Sequence, residues 1–240
     1  MTSPGHAELA RRYDALWEAA APEVRAGRVS LDPWALRKQD DARRGVTLLA
    51  RPAPPVATAL ETFVAELRAL EPGQYYHPRP DFHLTVLSLF SATADYAPYL
   101  AHLGAYQAAV AEALDGIPPF AVDTLGVTLT PAAVLAQGFP HDDTLARVRE
   151  RLRSALAARG LADALDQRYR LETAHITLVR FTAPLRAPSR FVDALEAARQ
   201  RAFGTSLVAR MELVLGDWYQ SSEHARPIAH HTLGTPPPSP

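Results

Sequence analysis

A chain of 240 residues, 48% of them hydrophobic, can bury a full core as one large domain or two fused lobes. Its formal charge of −1 gives no basic field to draw it onto a long nucleic-acid duplex, and the absence of cysteine excludes disulfides, thiolate nucleophiles and cysteine-ligated zinc. No apolar run reaches membrane-spanning length and the start lacks a basic-then-apolar signal pattern, so a cytoplasmic protein with no membrane partner is expected. Of the 25 basic residues only Lys38 is lysine, a bias of a GC-rich coding sequence from which no arginine-specific function is drawn.

In chain order, Leu9, Tyr13, Leu16, Trp17 and Ala20 form a helical stripe that ends at Pro22 or soon after. A polar connector follows, from Asp32 to Arg44, so residues 1–44 are read as an N-terminal helical extension. Val46 to Ala50 is a short strand. Pro54 and Pro55 open a helix to about Leu70, stopped by Pro72 and Gly73. The apolar, β-branched run Phe82 to Phe90 reads as a buried strand. A helix from about Tyr96 to Leu114 leads to a hairpin of Phe120–Thr130 and Ala132–Phe139. The next helix carries Leu145, Val148, Leu152 and Leu156 on one face, with Asp142 or Asp143 as cap and Gly160 at its end. A second buried strand, Ala174 to Phe181, is followed by a helix over about Ser189 to Phe203. Strand Ser206–Leu215 and a shorter strand near Ile228–Leu233 complete the domain, 45–234, and residues 235–240 are a proline-rich, frayed tail.

The two buried strands carry nearly the same words, His83-Leu84-Thr85-Val86 and His175-Ile176-Thr177-Leu178. Alternation along a strand puts His83 and Thr85 on one face and His175 and Thr177 on one face, where a core strand has no use for them. Strand, helix and His-x-Thr strand occur twice, each histidine roughly thirty residues after its helix starts, which points to an internal duplication. The expected fold is α+β: two pseudo-symmetric lobes with antiparallel sheets flanking a central cleft, plus the N-terminal extension. Two histidines and two threonines facing one cleft make a phosphate-handling site. A third match, His230-His231-Thr232-Leu233, lacks a long apolar strand and a helix of its own, and is set aside.

The paired motif, 92 positions apart, resembles the two-histidine phosphoesterase superfamily, in particular its 2′,5′ RNA ligase-like and cyclic phosphodiesterase branch. The resemblance covers about residues 45 to 233, including the closing hairpin Asp217-Trp218-Tyr219-Gln220-Ser221-Ser222. It implies phosphodiester hydrolysis without a metal or other cofactor, on a 2′,3′-cyclic nucleotide, an RNA end or a 2′,5′-linked oligonucleotide, with ligation as the reverse reaction. One of His83 and His175 would act as base and the other as acid, a pair of roles that imidazole fills near neutrality. Thr85 and Thr177 would donate to the non-bridging oxygens. The resemblance also gives Arg180 a phosphate contact, although strict alternation from His175 puts it on the opposite face unless the strand bulges or ends. Tyr75 and Tyr76, with His77 and Arg79, and Tyr219 on the last hairpin are candidates for stacking a base.

The expected partner is thus a small nucleotide or RNA terminus, bound by a monomer. Other polar clusters take simpler readings. His141-Asp142-Asp143 is a helix cap, and His102 lies on a helix. Two rival functions stay open: a module that binds such a ligand without cleaving it, and a metal-dependent hydrolase using His224, His230 and His231.

Overall fold

The computed structural model describes residues 4–165 and 171–234. The proline-rich tail lies outside the described residues. Helix α1 (Pro4–Arg25) runs through Pro22 and leads, by a short turn at Lys38–Asp40, into β1 (Arg44–Ala50) and α2 (Pro54–Leu70). A two-residue strand, β2 (Tyr75–Tyr76), and a turn at Arg79–Asp81 precede β3 (Leu84–Thr93). Then come α3 (Ala97–Leu100), α4 (Leu103–Leu114), β4 (Phe120–Thr130), β5 (Ala133–Pro140), α5 (Thr144–Ala157) and β6 (Ile176–Arg180). Helix α6 (Pro188–Ala197) and strands β7 (Ala202–Val208), β8 (Arg210–Gly216) and β9 (Arg226–Thr232) follow. Among the described residues no helix is long and apolar enough to cross a membrane.

The fold is α+β, and its two lobes are halves of one sheet rather than two separate sheets. Strand order is β7-β4-β5-β6-β3-β1-β8-β9, with β2 beside β6, and every pairing is antiparallel. The repeat read from sequence corresponds to β1-α2-β3 and β5-α5-β6. Each helix crosses to the other half: α2 packs on β7 and α6, α5 on β3 and α4. Helix α2 buries Val56, Leu60, Phe63, Val64 and Leu67 along one stripe, each worth about 1.5–3 kcal/mol of apolar transfer.

Three boundaries depart from expectation. The long helix over Tyr96 to Leu114 breaks at Ala101 and His102, so His102 sits at the N-cap of α4 rather than within a helix. The helix expected to reach Phe203 ends at Ala197, and Phe203 belongs to β7. The strand expected over Ser206–Leu215 is two strands. At Ala209 the chain leaves β4 as partner and joins β1, at the far side of the sheet. One extended stretch thus serves both halves, which requires the sheet to curl.

The first 44 residues are built into this body. Tyr13, Ala20 and Val24 on α1 are fully buried, against β4, β5 and α6. The Tyr13 hydroxyl accepts from the amides of Ala174 (3.0 Å) and Gly138 (3.3 Å) and donates to the Gly138 carbonyl (3.2 Å). Position 138 must be glycine, because a Cβ there would lie 1.8 Å from the Ala174 carbonyl oxygen.

Candidate active site

Strands β3 and β6 meet at one registered pair, Leu84 opposite Ile176, and both of these side chains are buried in the core. His83 and Thr85 flank Leu84, and His175 and Thr177 flank Ile176, so alternation sends these four side chains to the other face. All four line a cavity of about 420 Å³, a size suited to a small-molecule ligand.

Each motif strand bulges directly after its threonine. Leu49 pairs with Thr85 and Leu48 with Leu87, so Val86 is the extra residue in β3. Leu135 pairs with Thr177 and Val134 with Val179, so Leu178 is the extra residue in β6. A bulge resets the alternation beyond it. Ser88 and Arg180, each five positions after its histidine, are thereby returned to the cavity face, and both line the cavity. This answers the alternation argument against Arg180. Its guanidinium lies 3.9 Å from Asp32 Oδ2 and 5.6 Å from the Tyr219 ring centroid, and its buried Nε has no hydrogen-bond partner.

Backbone groups at the bulges are held from behind. Arg149 projects from the apolar face of α5, is 3% exposed, and donates to the carbonyls of Val86 (2.8 Å), Thr85 (3.0 Å) and Thr173 (2.8 Å). Three charge-assisted bonds offset the burial of its charge and tie the approach to His175 to the β3 bulge. At the β6 bulge the Leu178 carbonyl accepts from the His77 amide at 2.9 Å.

The two imidazoles are held alike but not identically. His83 Nδ1 lies 2.7 Å from the Asp81 carbonyl oxygen, which only accepts, so Nδ1 carries the proton and Nε2 is left for a ligand. His175 Nδ1 lies 2.9 Å from Thr173 Oγ1, a hydroxyl that either donates or accepts. Burial pulls both imidazoles below their ordinary value, to about 4. For His83 the bond to Asp81 opposes this and the Arg51 charge adds to it; for His175 the charge of Arg149 adds to it. Without a ligand both rings are neutral at pH 7.

The aromatic candidates separate. Tyr219 lines the cavity and donates its hydroxyl proton to Asp32 Oδ1 at 2.7 Å. Tyr75 does not reach the cavity: it is buried against the rings of His77 and Tyr219, at 5.0 and 6.0 Å between centroids. Tyr76 is a correction. Its hydroxyl rests on the carbonyls of Glu71 (2.7 Å) and Leu67 (3.0 Å), inside the core, because neighbours on β2 take opposite faces. His77 lines the cavity floor, and both its buried ring nitrogens lack a partner.

Arg79 points away, toward Glu61 on α2. Asp143 is the N-cap residue of α5 but makes no side-chain cap bond; Asp142 Oδ1, one position earlier, accepts the Thr144 amide at 2.8 Å, and His141 pairs with Asp123 on β4 at 2.9 Å. The C-terminal histidines are not brought together. His224 is held by Asp217 at 3.0 Å, while His230 and His231 lie on β9 opposite Glu212 and Met211. Among the described residues no group of three or more histidines and carboxylates is arranged to hold a metal ion.

The cavity also contains residues that sequence reasoning left without a role. Thr47 and Ser88 share a hydrogen bond at 3.3 Å, and Trp218 forms part of the wall. Gln220, at φ +52°, adopts a left-handed conformation rare for a side-chain-bearing residue and donates to Thr47 Oγ1 at 3.2 Å. Arg149 did leave a signal in the sequence, as a charged residue one position from Val148 in an otherwise apolar stripe.

No protein-family model matches the chain, and no curated protein matches it by sequence. Solved structures do match by shape. TT0787 of Thermus thermophilus superposes with a TM-score of 0.58 at 19% identity, over 79% of this chain and 97% of that one. A structure described as a phosphoesterase gives 0.51 at 16% identity, over 80% and 98%. E. coli LigT complexed with 3′-AMP gives 0.51 at 15% identity, again over 80% and 98%. About a fifth of this chain lies outside the shared part. The likeness establishes the fold: this chain is built as the phosphoesterase and LigT structures are, the architecture that its two His-x-Thr strands led us to expect.

Proposed function

We propose that the protein is a two-histidine phosphoesterase that cleaves a phosphodiester at the 2′ or 3′ oxygen of a ribose, with His83 and His175 as the acid–base pair. The observation that carries this reading is that His83, Thr85, His175 and Thr177 line one cavity, on two strands joined at Leu84 and Ile176, with matching bulges that return Arg180 to it. A pure binding module needs no second imidazole, and here both imidazoles and both hydroxyls are present.

In this mechanism a neutral imidazole takes a proton from water as its oxygen forms a bond to phosphorus. The bond from phosphorus to the ribose oxygen breaks on the opposite side, and the other imidazole, protonated, gives its proton to that oxygen. The product is a phosphomonoester, and the two histidines have exchanged protonation states. Thr85, Thr177 and Arg180 donate to the non-bridging oxygens, where charge accumulates. The bound phosphodiester supplies the negative charge that raises one imidazole from its depressed value and lets it carry the acidic proton. Support for a nucleotide substrate comes from LigT, crystallised with 3′-AMP, and from a cavity walled by Trp218 and Tyr219.

The test is turnover of the four 2′,3′-cyclic nucleoside monophosphates in excess EDTA. Wild type should turn over one or more of them, and His83→Ala and His175→Ala should each lose about 10²–10⁴-fold with the fold intact. Wild-type rates in either variant would overturn the reading, as would abolition of activity by the chelator. Wild type inactive on all four would move the substrate to 2′,5′-linked oligomers or RNA ends.

A further inference from the structure

Lys38 is the chain's single lysine, and it is built into the structure beneath the first motif. Its ammonium lies 4.6 Å from the Tyr75 ring centroid and 5.7 Å from that of Tyr219, and 3.4 Å from Asp81 Oδ2. The side chain of Lys38 is 12% exposed and that of Asp81 is 2% exposed. The other carboxylate oxygen of Asp81 accepts the Ser222 amide at 2.8 Å, and its main-chain carbonyl is the group that fixes His83 Nδ1. A buried carboxylate in this position needs a counter-charge, and Lys38 supplies it.

The second motif is gripped in a comparable way. Tyr13 on α1 takes the amide of Ala174, the residue immediately before His175, and anchors it to Gly138 on β5. Two side chains from the first 41 residues therefore grip the approaches to the two histidines, Lys38 through the Asp81 carboxylate and Tyr13 through the Ala174 amide. Asp32, in the same segment, holds the Tyr219 hydroxyl.

We propose that the N-terminal segment is part of the catalytic apparatus, with Lys38 a positioning residue for His83 through Asp81 and Tyr13 a positioning residue for His175. Only the kinetic consequences rest on the two-histidine reading above; the effect on the imidazole itself does not. The charged and titratable groups around His83 are Asp81 on its own approach, Arg51 after β1, Arg180 on β6, and His77 and His175. Removing the Lys38 charge leaves the Asp81 carboxylate unbalanced beside His83, which favours the imidazolium.

The experiment is an NMR titration of His83 in the full chain without substrate, for wild type, Lys38→Met, Lys38→Gln and Lys38→Arg, followed by kinetics. The expected result is an upward move of the His83 midpoint by about half a pH unit or more in Met and Gln, with Arg recovering most of the change. In the kinetics, kcat should fall about tenfold in Lys38→Met while KM stays within about twofold, the mark of a group acting on the reacting state rather than on binding. Tyr13→Phe should show the same kcat-weighted loss. An unmoved His83 titration in a folded Met or Gln variant would overturn the proposal, and so would an Arg variant as damaged as Met. If both Met and Gln fail to fold, Lys38 holds the fold rather than the histidine, and the proposal is also overturned. A wild type inactive on every phosphodiester with the titration shift intact would sink the function above and leave this inference standing.

Discussion

The half of the site built on β3 and the half built on β6 share a plan and differ in charge. Each has a histidine just before the strand, a partner for Nδ1 two residues earlier, a threonine two residues later and a bulge directly after it. Five positions beyond the histidine they part: Ser88 on one side, Arg180 on the other. On the proposed function, the shared features are those a symmetric phosphate clamp needs, and the chain carries them twice. On the same proposal the differences give the clamp a direction, since a bound phosphodiester would meet a guanidinium beside one strand and only a hydroxyl beside the other.

That comparison can be broken at several points. The largest expected effect is on the asymmetric pair. Arg180→Met should cost about 10²–10³-fold in kcat/KM, the scale of a lost transition-state donor, while Ser88→Ala should cost less than about fivefold. Equal losses at the two positions, measured on one substrate, would show that the site has no electrostatic direction.

Next is the brace between the halves. Arg149→Met leaves three carbonyls, two at the β3 bulge and one before His175, without their donor. Denaturant unfolding should register a loss of about 2–4 kcal/mol. A loss below about 0.5 kcal/mol would mean the carbonyls find other partners and the halves are not linked through α5.

The smallest expected effect is on acid stability. His83 and His175 hold their pKa near 4 in the folded state, against about 6.5 in an unfolded chain, and His77 is displaced in the same direction by its burial. Between those limits the unfolded chain binds more protons, so stability is fully present above about pH 6.5 and declines as pH falls toward 4. The decline should be about 1 kcal/mol per histidine after allowing for water in the cavity, and shallower in His83→Ala or His175→Ala. Unfolding free energies that stay flat between about pH 6.5 and 4.5 would contradict the burial of these rings.

Much of this arrangement was legible in local sequence. The strands of the two motifs and helices α2 and α5 announce themselves because apolar periodicity and Pro or Gly punctuation are properties of a short window. The pairing of the motifs followed from their repetition, and the start of α5 from the two aspartates, Asp142 and Asp143, before an apolar stripe. What stayed hidden depends on partners far along the chain. A bulge is defined by the neighbouring strand, so nothing in His175 to Arg180 could decide where Arg180 points. Nor could the chain itself distinguish Tyr75 from Tyr76, whose faces are set by the two-residue pairing with Val179 and Arg180. The break at Ala209 was invisible because both strands it joins are equally apolar. Lys38 and Asp81 meet across 43 positions, a contact that no periodicity encodes. The segment that looked like an appendage is for the same reason an integral part of the core.

The most direct test of the account is the pH dependence of kcat/KM for wild type and for the two single histidine variants. Wild type should give a bell on the acidic side of neutrality, reporting one imidazole that must be neutral and one that must be protonated. The residual activity of His83→Ala and of His175→Ala should each keep only one limb, because one titrating partner is gone. A wild-type profile with a single limb, or a bell that survives in both variants, would contradict an acid–base pair assembled from the two halves.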